Sequence, residues 1–481
     1  MAQNKLINDL EQTLGSVNLE PFSPTLSPLI EEALVESNKH HYRQGTFLIP
    51  KLLIWFVLAM TIRRDLNYYK VLEWMISSWR WLSLSLPAKL LEDSAITHAR
   101  VKMGSSIFLL IFQKLTLIFS GVEPDFYGFH TLYFDGTTLS MPDSKKNRVR
   151  FGKHRSQRGA AGFPAMRAVT LAMGVSRVTL DVAYSSIRGK GSGERSLMMK
   201  ILQRIQIPQA LFLFDAGFYS FALFCQLTGA NQRFIMKISR SVHLDPLAGN
   251  PYFDGSYLAL IRGKIPNPSR STQKRNAYDH LEGVVRVIDV QVAGFRPFRL
   301  ITSLLDWNIE AKALVKHYHK RWEIEISYDE IKTHQCATLR GQAPTILRSK
   351  RPDLVEQELY ALLITYNMTR WLIFQAAQQH RIDPLHVSFL DTLQWIIDAL
   401  TPMQSASPHQ LEEYHAYLHR MIAQSLIDRP RRKRQNPRVI KVKMSSFKRK
   451  RKADRSQSID YEKETKILPP PIEIQEFQEA A

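Results

Sequence analysis

The chain has 481 residues, 44% apolar and 23% charged, a composition that excludes a wholly disordered polymer and, at roughly 100–200 residues per domain, allows about three domains. Sixty-five Lys and Arg against 44 Asp and Glu give a formal charge of +21, which points to a polyanionic partner. Two cysteines exclude a disulfide scaffold and a Cys-rich zinc module, and they indicate a reducing compartment.

In chain order, residues 1–45 are polar, slightly acidic and broken by Pro, and they read as an N-terminal arm with one short helix. No signal-peptide core follows Met1. Residues 46–122 carry Leu, Ile, Trp and Phe at helical spacing with almost no Gly. They predict a compact all-helical domain, with Trp74, Trp79 and Trp81 in its core. The most apolar run, LLIWFVLAMTI at 52–62, is too short for a bilayer, which needs about 20 residues. A buried helix is the better reading, and nucleic acid rather than membrane is then the expected polyanion.

From 123 to 345 the pattern changes. β-rich runs at 132–134, 168–173, 178–184, 211–214 and 234–238 surround predicted helices at 194–205 and 221–227. The order β-β-β-α-β-α-β is an α/β layer pattern. Residues 241–297 predict a mostly β insertion, 298–304 a returning strand, and 309–334 one strong helix. Residues 346–425 are a C-terminal helical region. From 426 to 481 the chain is basic and then Pro-rich, which predicts a disordered tail.

Two blocks hold nearly all the excess charge. Residues 144–159 contain Lys145, Lys146, Arg148, Arg150, Lys153, Arg155 and Arg158 and no acid, and 429–455 contain fourteen Lys and Arg against Asp454. Concentrated blocks suit phosphate contacts, which gain from counterion release. A charge run is as often a solvated tail, and 429–455 alone fits either use.

Two carboxylates share a local design. LYF runs into Asp135-Gly136, and LFLF runs into Asp215-Ala216-Gly217. A carboxylate at the end of a buried strand is rigidly aimed and suits a hard cation such as Mg²⁺ or Mn²⁺. Asp before Gly also starts turns, and either site alone fits that use. A third element is YHKRWEIEISYDEIK, where Tyr318, Arg321, Glu325 and Lys332 stand at offsets 0, 3, 7 and 14. On a regular α-helix they share an arc of about 60°. Glu325 can complete a metal site with the two Asp, and Arg321 and Lys332 can neutralise phosphates. Arg321 and Glu325 also fit an i,i+4 ion pair. Leu314 and Trp322 lie near the same stripe, so that face is expected to be partly covered.

Other motifs fail. The run 189–193, GKGSG, lacks the Gly-Lys-Ser/Thr of a phosphate loop and reads as a strand-to-helix link. His317, His319, His334 and Cys336 match no zinc-finger spacing and read as helix-surface residues. There is no Gly-x-Ser-x-Gly elbow.

Taken together, these residues resemble the DDE transposases of bacterial insertion sequences, in the family named after insertion element four. The hallmark is Tyr318, two residues, Arg321, three residues, Glu325, six residues, Lys332. FDGTT around Asp135, FDAGFYS around Asp215 and RGAAGFPAMR at 158–167 support it, as do LYALLITYNMTRWLI at 359–373 and FLIPKLLIWFVLAM at 47–60. The resemblance covers roughly residues 45–400.

The resemblance implies an α/β RNase H-like catalytic core at 123–345 with the β insertion at 241–297, flanked by all-α N- and C-terminal regions. It implies that Asp135, Asp215 and Glu325 bind two Mg²⁺ or Mn²⁺ ions per active site, and that Tyr318, Arg321 and Lys332 hold phosphates of the transposon end. Trp322 joins the expected DNA contacts, with Phe295, Phe298 and Trp307 as aromatic alternatives, and Lys153, Arg155 and Arg158 contribute from the first basic block. The implied function is a DNA transposase that binds terminal inverted repeats, cuts the ends and joins their 3′-hydroxyls to target DNA. Its partners would be double-stranded DNA and a second copy in a homodimer, without a membrane, in the bacterial cytoplasm at the nucleoid. The rival readings are a catalytically inactive transposase-derived DNA-binding protein, a purely hydrolytic nuclease, and a membrane-surface protein using the tail. The tail lies outside the resemblance.

Overall fold

The computed structural model describes residues 15–43, 46–77, 92–119, 121–156, 159–247, 252–266, 278–293, 295–338, 341–342, 345–427, 434–435 and 459–471. The expectations for Trp79, Trp81, Arg158 and nearly all of 429–455 fall outside them. The chain divides into two units. One comprises Met1–Val122, Gly136–Ile205 and Ile324–Ile427, and the other Glu123–Asp135, Gln206–Glu323 and Asp428–Ala481.

In the first unit the short helix expected within 1–45 is a packed one of fourteen residues. A 3-10 turn at Glu20–Phe22 leads into α1 (Ser23–Glu36), whose Leu26, Ile30, Ala33 and Leu34 are buried. Their i, i+4, i+7, i+8 spacing is the apolar stripe of an amphipathic helix, which polar composition had masked. Next come α2 (Pro50–Ile62), α3 (Tyr68–Met75), α4 (Asp93–Met103) and α5 (Ser106–Phe119). Leu52 to Ile62 are all buried, so α2 is apolar on every side because every side is covered. Asn67 caps α3 by accepting from the Lys70 N–H at 2.8 Å.

The same unit holds α6 (Lys145–Phe151), α7 (Glu194–Leu202), α11 (Pro352–His380), α12 (Phe389–Gln404) and α13 (Pro408–Gln424). The Thr61 and Thr365 hydroxyls meet at 2.7 Å and tie α2 to α11. Strand β1 (His130–Ser140) passes through the division and neighbours β2 (Ala165–Met173), which in turn pairs antiparallel with β3 (Thr179–Ser186). α7 packs on both strands. Asn367 of α11 binds both backbone groups of Thr179, accepting at 2.8 Å and donating at 2.7 Å. No single helix among the described residues is long and apolar enough to cross a membrane.

The second unit is built on the first half of β1, then β4 (Ala210–Phe214) and β5 (Arg233–Ile238), each parallel to its neighbour. Beyond β5 the sheet continues antiparallel through β9 (Phe298–Thr302), β8 (Tyr278–Val292), β7 (Tyr257–Pro266) and β6 (Asp245–Pro246). Residues 241–297 are thus largely strand where described. α8 (Phe221–Gly229) packs on this extension. A Cβ on Gly263 would fall 2.5 Å from the Phe221 ring, so glycine there admits the aromatic.

Two expectations are corrected. The tail is not wholly without structure: α14 (Tyr461–Glu464) and β10 (Thr465–Ile467) return to the sheet, where β10 pairs with β8. The predicted single helix over 309–334 is a run of four pieces. These are α9 (Ala311–His319), a 3-10 turn Lys320–Trp322, α10 (Glu323–Asp329) and a π-helical turn Glu330–Gln335. Neither the 3-10 nor the π turn keeps 100° per residue, so the uniform stripe does not hold.

Candidate active site

The parallel register pairs Leu132 with Phe212 and Tyr133 with Leu213, and it pairs Phe214 with Met236. Continuing it by one or two residues sets Asp135, Asp215 and Lys237 in one row across β1, β4 and β5. Neighbouring parallel strands lie about 4.8 Å apart. The Phe134 and Phe214 rings, one residue before the two Asp, stack at 5.4 Å and 6°, which fixes that register. Strand alternation puts the rings on one face and the row of charges on the other. Both Asp are half-buried.

The two carboxylates arrive differently. β4 is buried throughout and ends at Phe214, and the Phe218 N–H bonds the Asp215 carbonyl at 3.0 Å to close the turn. β1 does not end at Asp135, as expected, but runs on to Ser140; only its burial changes there. The β-branched Thr137 and Thr138 outweigh the Asp-Gly turn signal. Gly136 meanwhile lets the Glu194 side chain close in, since a Cβ there would stand 2.4 Å from Glu194 Cδ.

Helix α9 reaches the strand end through Tyr318. Its phenol, 6% exposed, donates to the Phe214 carbonyl at 3.1 Å. Burial pushes the Tyr318 pKa up, Arg321 opposes the shift, and Asp215 adds to it. The single phenolic proton is thus given to the backbone just before Asp215. Arg321 is buried with its guanidinium 5.4 Å from the Trp322 ring centroid, while Trp322 itself is 38% exposed. The stripe is therefore not evenly covered.

Lys237 was not singled out from sequence. Its pKa is lowered chiefly by burial, with Asp215 opposing and Arg321 adding, so the four groups form one electrostatic cluster. Its ammonium lies 4.9 Å from the Phe298 ring centroid. A cation four residues after Arg233, between Met236 and Ile238 of the otherwise apolar strand RFIMKI, was the available signal. His317 is not a surface histidine. It is 3% exposed, stacked on Phe126 at 3.7 Å and bonded through Nε2 to Thr131 Oγ1 at 2.6 Å. Burial, with help from Lys320, pushes its pKa down to about 3.

In the first unit, Glu325 is exposed on α10 and Lys332 half-buried in the π turn, its ammonium 5.6 Å from the Tyr328 ring centroid. Between them, Glu330 is gripped by three partners. Arg177 donates to Oε1 at 2.7 Å, and Arg370 Nε and the Tyr366 hydroxyl donate to Oε2 at 2.8 and 3.0 Å. Lys145, Lys146, Arg148 and Arg150 are exposed on α6, whereas Lys153 donates to Asp143 at 2.7 Å and to the Gly162 carbonyl at 2.9 Å. Arg155 opens a two-residue ladder with Gly159–Ala160. Among the described residues no three His, Cys, Asp or Glu form a ready group for a metal ion. The register thus sets Asp135 and Asp215 side by side.

A family model described as "Transposase DDE domain" matches residues 130–368, and one described as "Insertion element 4 transposase N-terminal" matches residues 19–113. The chain belongs to the insertion-element-four family of DDE transposases. In this transposase the matched DDE span holds Asp135, Asp215, Tyr318, Arg321, Glu325 and Lys332 and stops well before the tail. The chain is similar to "Transposase InsG for insertion sequence element IS4" of Escherichia coli (strain K12), with 25% identity over 424 residues, covering 86% of this chain and 89% of that protein. A cryo-EM structure of the piggyBac transposase synaptic complex with hairpin DNA overlays at TM-score 0.40 with 8% identity, covering 84% of this chain and 85% of that one. At that score the likeness carries no weight for the fold.

Proposed function

We propose that this transposase binds the terminal inverted repeats of its element, cuts the ends and joins the 3′-hydroxyls to target DNA, with Asp135, Asp215 and Glu325 as the metal-holding acids. The observation that carries this reading is the row of Asp135 and Asp215 on adjacent parallel strands. Two half-buried carboxylates side by side repel unless a cation or proton lies between them. Oxygen donors at the ends of rigid strands fit Mg²⁺ or Mn²⁺. Glu325, on α10 within the Tyr-Arg-Glu-Lys spacing, supplies the third carboxylate. The succession of β1, β2, β3, α7, β4, α8 and β5, with α6 between β1 and β2, and the parallel β1–β4–β5 pairing support an RNase H-like core.

When bound, two divalent ions would supply an activated attacking oxygen and charge stabilisation at phosphorus for in-line displacement. The protein's own groups do the rest. Tyr318 braces the turn that carries Asp215. Arg321, Lys237 and Lys332 offset phosphate charge beside the carboxylates, and Trp322 offers an exposed ring to a base or sugar. Phosphate contacts from α6 and from Lys153, Arg155 and Arg158 position DNA without reading its sequence. Pairing of two ends calls for a homodimer on double-stranded DNA in the bacterial cytoplasm, with no role for a membrane.

The test is Asp135→Asn, Asp215→Asn and Glu325→Gln, assayed for cleavage of a terminal-repeat duplex in Mg²⁺ and Mn²⁺. Each should abolish cleavage while end-binding stays intact. Wild-type cleavage by any one of them rejects the assignment of that acid. Lys332→Ala should slow processing and flatten the salt dependence of end-binding; no change in either removes its phosphate role.

A further inference from the structure

The tail segment 459–468 lies outside both matched spans, yet it is built into the second unit. Pairing of β7 with β8 stops at Val287, and β10 takes up the length beyond it, with Thr465, Lys466 and Ile467 opposite Val292, Gln291 and Val290. The Leu468 N–H donates to the Asp289 carbonyl at 2.8 Å and the Ala293 N–H to the Glu464 carbonyl at 3.2 Å, which extends the ladder at both ends. Room for the added strand is made by Gly255, at φ +86°, where a Cβ would stand 2.9 Å from Ile467 Cγ2. Pro469, Pro470 and Pro471 follow and end the pairing, since they offer no N–H.

One turn before this strand, the Tyr461 ring stacks on the His319 imidazole at 3.8 Å and 13°. Tyr461 is 6% exposed, so the stack is an interior contact. His319 follows Tyr318, whose phenol holds the Phe214 carbonyl immediately before Asp215. Tyr461 also stands close enough to Tyr318 to influence its ionisation. A continuous path of contacts therefore runs from the added strand to the backbone that aims Asp215.

We propose that residues 459–468 form a positioning strap for the catalytic centre. Strand addition anchors it to β8, and Tyr461, through His319, fixes the last turn of α9 from which Tyr318 braces Asp215. This rests on the transposase reading above. Tyr461 is a positioning residue: it acts through the helix and touches no reacting atom.

The test uses the full-length chain and a pre-bound terminal-repeat duplex. Tyr461→Ala and His319→Ala should each slow single-turnover cleavage by about tenfold or more, since small misplacements of reacting groups cost on the order of 10²-fold. End affinity should stay within about twofold. Tyr461→Phe, which keeps the ring, should cleave like wild type, and the double Ala variant should be no slower than the worse single one, because both break one contact. Should Tyr461→Ala lose its melting transition, Ile467→Asp, which lifts the strand and leaves the ring, should show the same slowing. Unchanged cleavage in Tyr461→Ala, failure of Tyr461→Phe to restore the rate, or multiplying effects in the double variant each overturn the strap. If wild type itself shows no metal-dependent cleavage, the transposase reading fails instead.

Discussion

Glu330 is the residue whose removal the structure grades most sharply. Its side chain is 6% exposed, and it neutralises Arg177 and Arg370, which are 2% and 0% exposed. Tyr366 adds a third donor at 3.0 Å. Glu330→Ala would leave two guanidiniums in a dry interior without the carboxylate that neutralises both. Removing one partner of a buried ion pair costs about 3–5 kcal/mol, and with two cations losing the same carboxylate the upper half of that range applies. Glu330→Gln should fare little better, because its amide nitrogen would face a guanidinium donor. Asp329 is the internal control. It is exposed, with one hydroxyl partner, Thr333, at 2.7 Å, and Asp329→Asn should cost under about 0.5 kcal/mol. The assay is urea unfolding followed by far-UV circular dichroism, with the loss read from the midpoint shift of the first unit's transition. A Glu330→Ala loss below about 1 kcal/mol would refute the argument. Because Glu330 lies between Glu325 and Lys332, the variant should also cleave DNA more slowly well below its melting temperature.

Other outcomes follow from single contacts. Lys237→Met should slow cleavage by about tenfold or more at unchanged end affinity, because it removes a cation beside Asp215 from a partly dry site; equal rates would remove it from the centre. His317 is held neutral by burial with its pKa near 3, below the unfolded value of about 6.5. Its contribution is therefore complete above pH 6.5 and is lost as pH falls toward 3, because the unfolded chain binds the extra proton. His317→Gln should remove about one proton from the slope of melting temperature against pH between roughly 4 and 6, and an unaltered slope would contradict this. Replacing Lys145, Lys146, Arg148 and Arg150 with Gln should lower the salt slope of end-binding by about 2–4, with Arg148 and Arg150 counting less since Asp143 and Glu356 already pair them. An unchanged slope would clear α6 of DNA contact.

Much of the strand framework was legible because strand cores announce themselves. Runs such as LFLF before Asp215 are buried on both faces, and only a covered strand can carry them. The two Asp were legible for the same reason. What sequence could not show is what comes from far away to meet them. The π turn of the run after Ala311 begins at Glu330, which Arg177, Arg370 and Tyr366 grip from 153, 40 and 36 residues distant. No local pattern encodes that grip. Lys237 was visible as a charge between apolar residues of a strand, but its partner Asp215 follows the end of the strand beside it. The strap was hidden by composition: TKI is too short to read as a strand, and it follows a long basic run. Only the overhang of β8 and the missing side chain at Gly255 make a place for it.

Charge balance gives the site its last constraint. On the proposed assignment, Asp135, Asp215 and Glu325 would bring three negative formal charges and Lys237, Arg321 and Lys332 three positive ones, a set formally neutral before any metal binds. Two divalent ions would add four positive charges to groups that are partly removed from water, where unbalanced charge is expensive. Phosphates of a transposon end are the compensation. Metal and DNA should then bind with mutual help, and linkage makes that help equal in both directions. Mn²⁺ affinity, measured by titration calorimetry, should rise by about tenfold or more, a coupling of about 1.4 kcal/mol, when a pre-cut terminal-repeat duplex is present. Lys237→Met should weaken the coupling by leaving the metal-free set negative, so that metal binds more tightly on its own. Equal Mn²⁺ affinity with and without the duplex would show that the cations beside Asp215 serve the fold and not the substrate.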